Sequence, residues 1–129
     1  MTTVGTDIID VRRITEKIDA LTARVLLPAE HGYCFSQAHP AQHVAGRFAA
    51  KEAVFKAMRA PAGNGFSWLD IEILNDESGA PAVMLHGRAR AFAQSSGIVR
   101  IDISLSHVEE YAVAVALCER AGAGDSLNP

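Results

Sequence analysis

The hydrophobic pattern of the sequence changes at a cluster of helix-breaking residues, and this change limits the possible folds. Residues 40–59 form the longest helical pattern, rich in alanine, which ends at the sequence APAGNG of residues 60–65. Beyond this cluster the pattern becomes strand-like, and residues 99–106 alternate between apolar and polar side chains. Helices followed by a strand-rich half predict an α+β fold, with a mainly antiparallel sheet packed against the long helix.

Shorter patterns predict the elements on either side of the long helix. A strand at residues 2–9 leads to Asp10, whose carboxylate can cap a helix that begins at Val11 and continues to Leu21. Pro28 opens a second short helix, because proline is favoured in the first helical turn. After residue 65 the pattern predicts a strand at 68–74, a turn at 77–79, a strand at 81–85, a helix at 87–95 and a central strand at 111–118.

Length and composition are those of a single globular domain. In a chain of 129 residues, one domain is expected at residues 1–119, with the small and polar residues 120–129 as a poorly ordered tail. The net charge of -3 argues against a nucleic-acid partner, because the chain has no basic excess to neutralise phosphates. No window approaches the roughly 18 apolar residues of a membrane span, and the first residues lack a signal-peptide pattern. We therefore expect a cytoplasmic protein without a membrane partner, in which Cys34 and Cys118 are free buried thiols.

Two candidate sites for chemistry lie in the first half of the chain. Asp7 interrupts an otherwise apolar strand, so it is either a site carboxylate or a strand-end group that faces water or caps the next helix. Glu52 and Lys56 are four residues apart and share one face of the long helix, beside small residues that leave room for a ligand. The same pair is also typical of an exposed ion pair, which contributes less than about 1 kcal/mol. Lys51 falls among apolar residues, and its side chain is expected to run over apolar surface to solvent.

A third candidate is His107, at the end of the alternating strand. In the alternation of this strand, His107 falls on the same face as the apolar residues, so it could be a buried, hydrogen-bonded histidine. A histidine at a strand end beside a turn is equally suited to holding a ligand phosphate. Residue type alone leaves both interpretations open.

Together these segments resemble the holo-acyl-carrier-protein synthases, the short, single-domain branch of the 4′-phosphopantetheinyl transferases. The order and spacing of the motifs follow this family over residues 4–117, and the block R-F-x-x-K-E-A-x-x-K is highly specific to it. The sequence departs from the family's usual pattern at Thr3, where the family usually has glycine, and at residues 60–64. The matching segments are VGTDIIDV at 4–11, RFAAKEAVFKA at 47–57, GFSW at 65–68, DIE at 70–72, SLSH at 104–107 and YAVA at 111–114.

The resemblance implies a fold, a reaction and a set of site residues. The fold would be that of the 4′-phosphopantetheinyl transferases, and the reaction would move the 4′-phosphopantetheine arm of coenzyme A onto a serine of an apo acyl carrier protein. Asp7 and Glu52 would hold Mg²⁺, Glu52 would accept the serine proton, and Lys56 would contact the phosphates. Coenzyme A would be bound by Arg47, Lys56, Gly65, Ser106 and His107.

The resemblance also implies partners and an assembly. Carrier proteins of this kind are acidic, and Arg13, with Arg12 and Lys17, would dock them through the first helix, although these charges could also form only a solvated face. The family forms homotrimers with active sites between neighbouring subunits, so a trimer is expected. The carrier could serve fatty-acid, other lipid or polyketide biosynthesis. Two alternatives are a non-catalytic module that binds coenzyme A or a carrier protein, and a metal-dependent phosphohydrolase.

Overall fold

The computed structural model describes residues 1–121. The predicted tail begins at Arg120, which the structure places at the end of the last strand, and residues 122–129 lie outside the described part of the chain. The elements, in chain order, are strand β1 (Thr2–Asp10), helices α1 (Val11–Glu16), α2 (Ile18–Val25), α3 (Pro28–Phe35) and α4 (Pro40–Met58), a 3-10 turn (Trp68–Asp70), strands β2 (Ile71–Asn75) and β3 (Pro81–Leu85), helix α5 (Gly87–Ser95), and strands β4 (Ile98–His107) and β5 (Tyr111–Arg120).

The sheet is antiparallel and packs against α4, as predicted. Strand β5 lies between β1 and β4, and both pairings are antiparallel. Strands β2 and β3 form a separate antiparallel hairpin. The residues of β5 on the buried face are small, so that the helix can approach the sheet closely. Three of them pack in one cluster with alanines of α4, whereas Ala112 packs in a second cluster with Ala45. The buried small residues of β5 are Ala112, Ala114, Ala116 and Cys118.

Strand β1 lies so close to α4 that one position requires glycine. A Cβ atom at Gly5 would lie 2.2 Å from the carbonyl oxygen of Ala53 and 2.7 Å from the backbone nitrogen of Ala57. On the same side of the strand, Thr3 Oγ1 donates a hydrogen bond to the carbonyl oxygen of Ala57. Alternate residues of a strand share a face, so Asp7, two residues beyond Gly5, is held against α4 as well.

The helix predicted between Val11 and Leu21 is in fact two helices. Lys17 adopts φ -127° and ψ 22°, which lies outside the helical region, and it ends α1 before α2 begins. The predicted cap is confirmed, because the Asp10 carboxylate accepts a hydrogen bond from the backbone nitrogen of Arg12 at 2.9 Å.

Two strand predictions were also wrong in detail. The first hairpin strand begins at Ile71 rather than Trp68, because Ser67 Oγ caps a 3-10 turn over the intervening residues. Val99 was expected on the buried face of β4, yet it is 64% exposed. A register shift between β4 and β5 at the start of β4 moves Ile98 into the core instead.

Lys51 does not reach solvent, contrary to expectation. Its side chain and that of Glu30 are both 0% exposed, and Lys51 Nζ lies 2.7 Å from Glu30 Oε1. Lys51 Nζ also donates to the carbonyl oxygen of Trp68 at 2.9 Å. Glu30 accepts hydrogen bonds from the backbone nitrogens of Leu27 and Ile73, both at 2.8 Å. The pair therefore joins α3, α4, the 3-10 turn and β2 at one buried point.

The outer face of the three-stranded sheet is apolar and exposed. The apolar run of β5 predicted a central strand, and β5 is central, but Val113 and Val115 are 40% and 43% exposed. Ile8 of β1 lies opposite Val113 in the register and is 64% exposed. Val4, also on β1, is exposed on the same face. We call Val4, Ile8, Val113 and Val115 the outer apolar face.

Two further expectations concern the environment of the chain. Cys34 and Cys118 are free, buried thiols, as predicted. Within residues 1–121, no helix combines the length and the hydropathy that crossing a bilayer requires.

Candidate functional site

Asp7, Glu52 and Lys56 form one group, which we call the carboxylate cluster. Lys56 Nζ lies 3.0 Å from Asp7 Oδ1 and donates a second hydrogen bond, of 2.9 Å, to the carbonyl oxygen of Thr6. The ammonium thus bridges the strand and the helix that the contact at Gly5 holds together. The Asp7 side chain is 17% exposed, whereas that of Lys56 is 53% exposed and open to a ligand.

Glu52 adds a second negative charge to this group. Burial raises the pKa of Glu52 above its ordinary value of 4.5, and the neighbouring charge of Asp7 raises this pKa further, while Lys56 opposes both effects. The carboxylate is therefore a stronger base than an exposed glutamate. A raised pKa beside a like charge also indicates that negative charge in the cluster is incompletely neutralised.

The carboxylate cluster fits a hard divalent cation. Within residues 1–121, Asp7 Oδ2 is buried and has no hydrogen-bond partner, so one carboxylate oxygen is left to a further ligand. Two carboxylates and water are a donor set that Mg²⁺ accepts, because this ion keeps several waters and shares its remaining positions with substrate phosphates. No group of three or more His, Cys, Asp and Glu side chains suited to a metal occurs in the described residues.

Arg47 occupies a second site, in a cavity of about 170 Å³. The arginine is 5% exposed, and its guanidinium carbon lies 4.5 Å from the centroid of the Tyr33 ring. Arg47 Nη2 donates to Asn75 Oδ1 at 3.2 Å, but no hydrogen-bond partner for Arg47 Nε is present among the described residues. A buried guanidinium with an unused donor is suited to binding an anion in this cavity.

His107 lies in the same cavity. Its Nδ1 is 3.1 Å from Gln42 Oε1, and its ring meets that of His43 edge-on at a centroid distance of 4.7 Å. Burial lowers the pKa of His43, and the positive charges of His107, Arg47 and His39 contribute further lowering. We call Tyr33, His43, Arg47, Asn75 and His107 the arginine pocket.

Two predicted site residues lie in neither place. Ser106 is exposed and lies opposite Val113, on the outer apolar face rather than in the arginine pocket. Gly65 is exposed in the loop after α4, with φ +74°, and the guanidinium of Arg88 packs against it.

The carboxylate cluster and the arginine pocket lie on opposite sides of the molecule's long helix. Lys56 is nine residues after Arg47, which at about 100° per residue places the two side chains about 180° apart around α4. Asp7 and His107 also lie on the two outer strands of the sheet, with β5 between them. One chain therefore does not bring the predicted site residues into a single site.

The sequence did not predict four residues of this second region: Tyr33, Gln42, His43 and Asn75. Tyr33 and Asn75 contact Arg47 only through tertiary folding, from α3 and β2, so periodicity gives no signal for them. His43 could have been found, because it precedes Arg47 by four residues and shares its helix face.

The predicted docking residues are exposed on α1 and the junction that follows it. Arg12 is paired with Asp10, the residue that caps α1. Arg12 Nη2 lies 3.1 Å from Asp10 Oδ2, and this contact lowers the pKa of Asp10. No ion pair involves Arg13 or Lys17 within the described residues, and both are exposed.

Comparisons with known proteins agree with the motifs. The family model of the 4′-phosphopantetheinyl transferase superfamily matches residues 3–116. A holo-(acyl-carrier-protein) synthase of Moorella thermoacetica is 47% identical over 122 residues, which span 92% of this chain and 94% of that protein. A homologue with the same name from a Thermoanaerobacter species is 41% identical, over 97% of this chain and 92% of the relative.

Solved structures confirm the α+β fold. An ACPS–CoA complex from Chronobacterium ammoniagenes superposes with a TM-score of 0.84 at 29% identity, over 95% of this chain and 99% of that chain. A holo-(acyl-carrier-protein) synthase of Bacillus anthracis in complex with CoA (3′,5′-ADP) gives a TM-score of 0.76 at 33% identity, over 92% and 96% of the two chains.

Proposed function

The chain belongs to the 4′-phosphopantetheinyl transferase superfamily, and from this membership we propose how its residues carry out the transfer. The enzyme transfers the 4′-phosphopantetheine group of coenzyme A to a serine of an apo acyl carrier protein, giving the holo carrier protein and 3′,5′-ADP. The observation that carries the residue assignment is the contact between Lys56 and Asp7 beside Glu52. It places two carboxylates and an ammonium where strand β1 meets helix α4.

Asp7 and Glu52 are the residues that would hold Mg²⁺. When bound there, the ion would neutralise negative charge on the pyrophosphate of coenzyme A. Asp7 Oδ2, which has no hydrogen-bond partner among residues 1–121, and the raised pKa of Glu52 support this assignment, because a cation would pair with both carboxylates.

Glu52 handles the proton of the attacking serine, and Lys56 handles the negative charge of the departing phosphate. The serine Oγ of the carrier protein attacks the β-phosphorus, a new O–P bond forms, and the bond to 3′,5′-ADP breaks. Glu52, whose raised pKa makes it a better proton acceptor, takes the serine proton. Lys56 is 53% exposed beside Asp7, from where its charge can stabilise the departing phosphate. Phosphoryl transfer depends mainly on such positioning and charge stabilisation.

The arginine pocket would bind the phosphates at the nucleotide end of coenzyme A. Arg47 supplies a buried cation with the unused Nε donor, and His107 lines the same cavity of about 170 Å³. Gly65 and Ser106 remain proposals as contacts of the coenzyme, supported only by the motifs that contain them.

A homotrimer would bring the two sites together. The carboxylate cluster and the arginine pocket lie on opposite sides of α4, so a neighbouring copy is needed to place one beside the other. The outer apolar face provides a surface for this contact, with Val113 and Val115 at its centre and Ser106 next to them. A head-to-tail interface that repeats around a three-fold axis closes into a ring and forms three equivalent sites.

The acidic carrier protein would dock on the positive side of α1. Arg13 and Lys17 are the leading candidates, because Arg12 is already paired with Asp10. Charges at the rim of an interface mainly increase the association rate and its salt dependence. We also propose that the enzyme acts in the cytoplasm, where the free thiols Cys34 and Cys118 are typical.

Mass spectrometry of the carrier protein tests the proposed function. The enzyme is incubated with coenzyme A, Mg²⁺ and an apo carrier protein, and the carrier is expected to gain one phosphopantetheine arm. No gain across several fatty-acid and polyketide carriers would contradict the transfer. Release of 3′,5′-ADP without a carrier would indicate a phosphohydrolase, and binding of coenzyme A without any product would indicate a non-catalytic module.

A further inference from the structure

Gln42 makes a contact that determines which nitrogen of His107 carries a proton. The distance between His107 Nδ1 and Gln42 Oε1 is 3.1 Å, and a carbonyl oxygen can only accept a hydrogen bond. With the Gln42 amide in this orientation, the hydrogen lies on Nδ1. In the neutral ring, Nε2 is then without a hydrogen and can act only as an acceptor.

This tautomer has a consequence for anion binding. Neutral His107 would present a lone pair on Nε2, which repels a phosphate oxygen. Only the imidazolium form has a hydrogen on Nε2 that it can donate to the phosphate. Within residues 1–121, His107 Nε2 has no hydrogen-bond partner that would use it otherwise.

The charged and titratable groups around His107 come from several elements of the fold. On α4, the pKa of His43 is lowered chiefly by burial and further by the charges of His107, Arg47 and His39, and the guanidinium of Arg47 lines the same cavity. Tyr33 faces the same cavity from α3, and Glu109 lies with Gln42 at a neighbouring groove. The cavity lining from the β2–β3 hairpin, namely Asn75, Gly79 and Pro81, has no titratable group.

We infer that Gln42 holds His107 in the tautomer that binds phosphate only when protonated, so that binding of coenzyme A takes up one proton at this ring. Gln42 is thus a positioning residue, which acts on the ligand through His107. The inference rests on the proposed function, because it assumes that the arginine pocket receives the coenzyme's phosphate. The direction of the pH dependence follows from this: the affinity for coenzyme A is highest where His107 is protonated and falls as pH rises.

Calorimetric titration with coenzyme A between pH 7 and 9 tests the inference in the presence of Mg²⁺. This range lies above the second ionisation of a phosphate monoester, which has a pKa near 6. For the wild type, the logarithm of Kd is expected to rise with pH toward a slope of about one. His107→Gln should make Kd independent of pH. The control is His31→Gln, at an exposed histidine of α3, which should keep the pH dependence of the wild type.

Two substitutions at Gln42 test whether this residue controls the tautomer of His107 or has only a structural role. In Gln42→Glu, a carboxylate faces Nδ1 and stabilises the imidazolium, so the loss of affinity should move to higher pH. In Gln42→Leu, the acceptor is removed and the hydrogen can move to Nε2, so the slope should become shallower. Nitrogen-15 spectra of His107, assigned by its loss in His107→Gln, should show hydrogen on Nδ1 in the neutral wild type and a shift toward Nε2 in Gln42→Leu.

The outcomes distinguish this inference from the proposed function. If coenzyme A fails to bind the wild type at every pH, the proposed function is wrong. If coenzyme A binds but Kd is independent of pH, or if both Gln42 variants keep the wild-type pH profile, the inference is overturned while the function stands. An Nε2–H tautomer in the free wild type would also overturn it.

Discussion

Lys56 neutralises only part of the negative charge that folding brings together at residues 7 and 52. Its ammonium contacts Asp7 Oδ1 at 3.0 Å, while Asp7 Oδ2 has no hydrogen-bond partner in residues 1–121. Two carboxylates beside one ammonium leave a net negative charge. The pKa of Glu52 is raised chiefly by burial and then by the neighbouring charge of Asp7. At the scale of single residues, this net negative charge supports the proposal that Asp7 and Glu52 hold a cation.

Asp7→Asn is expected to reduce turnover by at least about 100-fold, since it removes one of the two charges proposed to hold Mg²⁺. The side chain keeps its size, so the circular dichroism spectrum and the melting temperature should remain close to those of the wild type. Asp19→Asn, at an exposed position of α2, is the matched control and should keep turnover within about twofold. Turnover near the wild-type value in Asp7→Asn would show that the metal assignment is wrong.

Glu52→Gln is expected to stabilise the fold at neutral pH while removing activity. The folded-state pKa of Glu52 is raised above 4.5, so the stability that its protonation contributes is present below pH 4.5 and is lost as pH rises through the folded-state pKa. Glutamine stays neutral at every pH, so the variant should exceed the wild type in unfolding free energy at pH 7.5 but not at pH 4.5.

Urea unfolding at the two pH values measures this difference. Glu16→Gln, at an exposed glutamate of α1, serves as the control and should change stability by less than about 0.5 kcal/mol at both. An equal gain from Glu52→Gln at both pH values would contradict the burial of a charged carboxylate.

At the scale of elements, the contact between β1 and α4 positions the carboxylate cluster. Gly5 lets the strand backbone approach the helix. Thr3, two residues before Gly5 in the strand, donates a hydrogen bond to the carbonyl oxygen of Ala57 in the helix. Asp7 follows on the same face of the strand, against the turn of α4 that carries Lys56. A disturbance of this contact should therefore affect activity as well as stability.

Gly5→Ala is expected to destabilise the protein by about 1–3 kcal/mol, the range typical of overpacking, and to reduce turnover by displacing Asp7. The added Cβ would lie 2.2 Å from the carbonyl oxygen of Ala53. Gly32→Ala, in the middle of α3, is the control: nothing lies within 4 Å of the added atom, and alanine should increase helix stability by up to about 1 kcal/mol. Chemical denaturation and turnover assays compare the two, and equal effects would show that the β1–α4 contact is not close.

The sequence predicted most elements because their patterns are local. Helix α4 is rich in alanine and ends at a cluster of breaker residues, β4 alternates between apolar and polar residues, and a turn signal precedes β3. The burial of Lys51 was not predictable in this way, because its partner Glu30 is 21 residues earlier and belongs to another helix. The exposure of Val99 depends on a register shift, which alternation alone does not reveal.

For the candidate site, the sequence indicated residues that the structure brings into contact, Asp7 and Lys56, but not how the carboxylate cluster and the arginine pocket are arranged. Glu52 and Lys56 are related by one helical turn, and Asp7 is a carboxylate in an otherwise apolar strand. The family motifs joined these separate candidates into one site. The separation of Arg47 from Lys56 also follows from helical geometry. How the two residues act on one ligand involves the proposed second copy of the chain. The contacts of Arg47 with Tyr33 and Asn75 join separate elements, so they appear only in the folded structure.

At the scale of the whole molecule, each chain carries the carboxylate cluster and the arginine pocket on opposite sides of α4, together with an exposed apolar sheet face. This arrangement predicts that inactive variants can complement one another. Asp7→Asn disables the carboxylate cluster and Arg47→Ala disables the arginine pocket, but each leaves the other region intact.

When the two variants are unfolded together in equal amounts and refolded, about a quarter of the interfaces should pair an intact carboxylate cluster with an intact arginine pocket. The mixture is therefore expected to recover about a quarter of the wild-type turnover, whereas each variant refolded alone should remain inactive. A mixture as inactive as its components would indicate that both regions must lie in the same chain.

The position of Arg47 and Lys56 on opposite sides of one helix also has a kinetic consequence. If the reaction centre exists only where two chains meet, the number of active centres follows the law of mass action. Turnover per chain should then fall on dilution below the dissociation constant of the assembly, and coenzyme A, by bridging two chains, should oppose the fall. The rate at which carrier proteins are modified would thus depend more steeply than linearly on how much enzyme the cell makes.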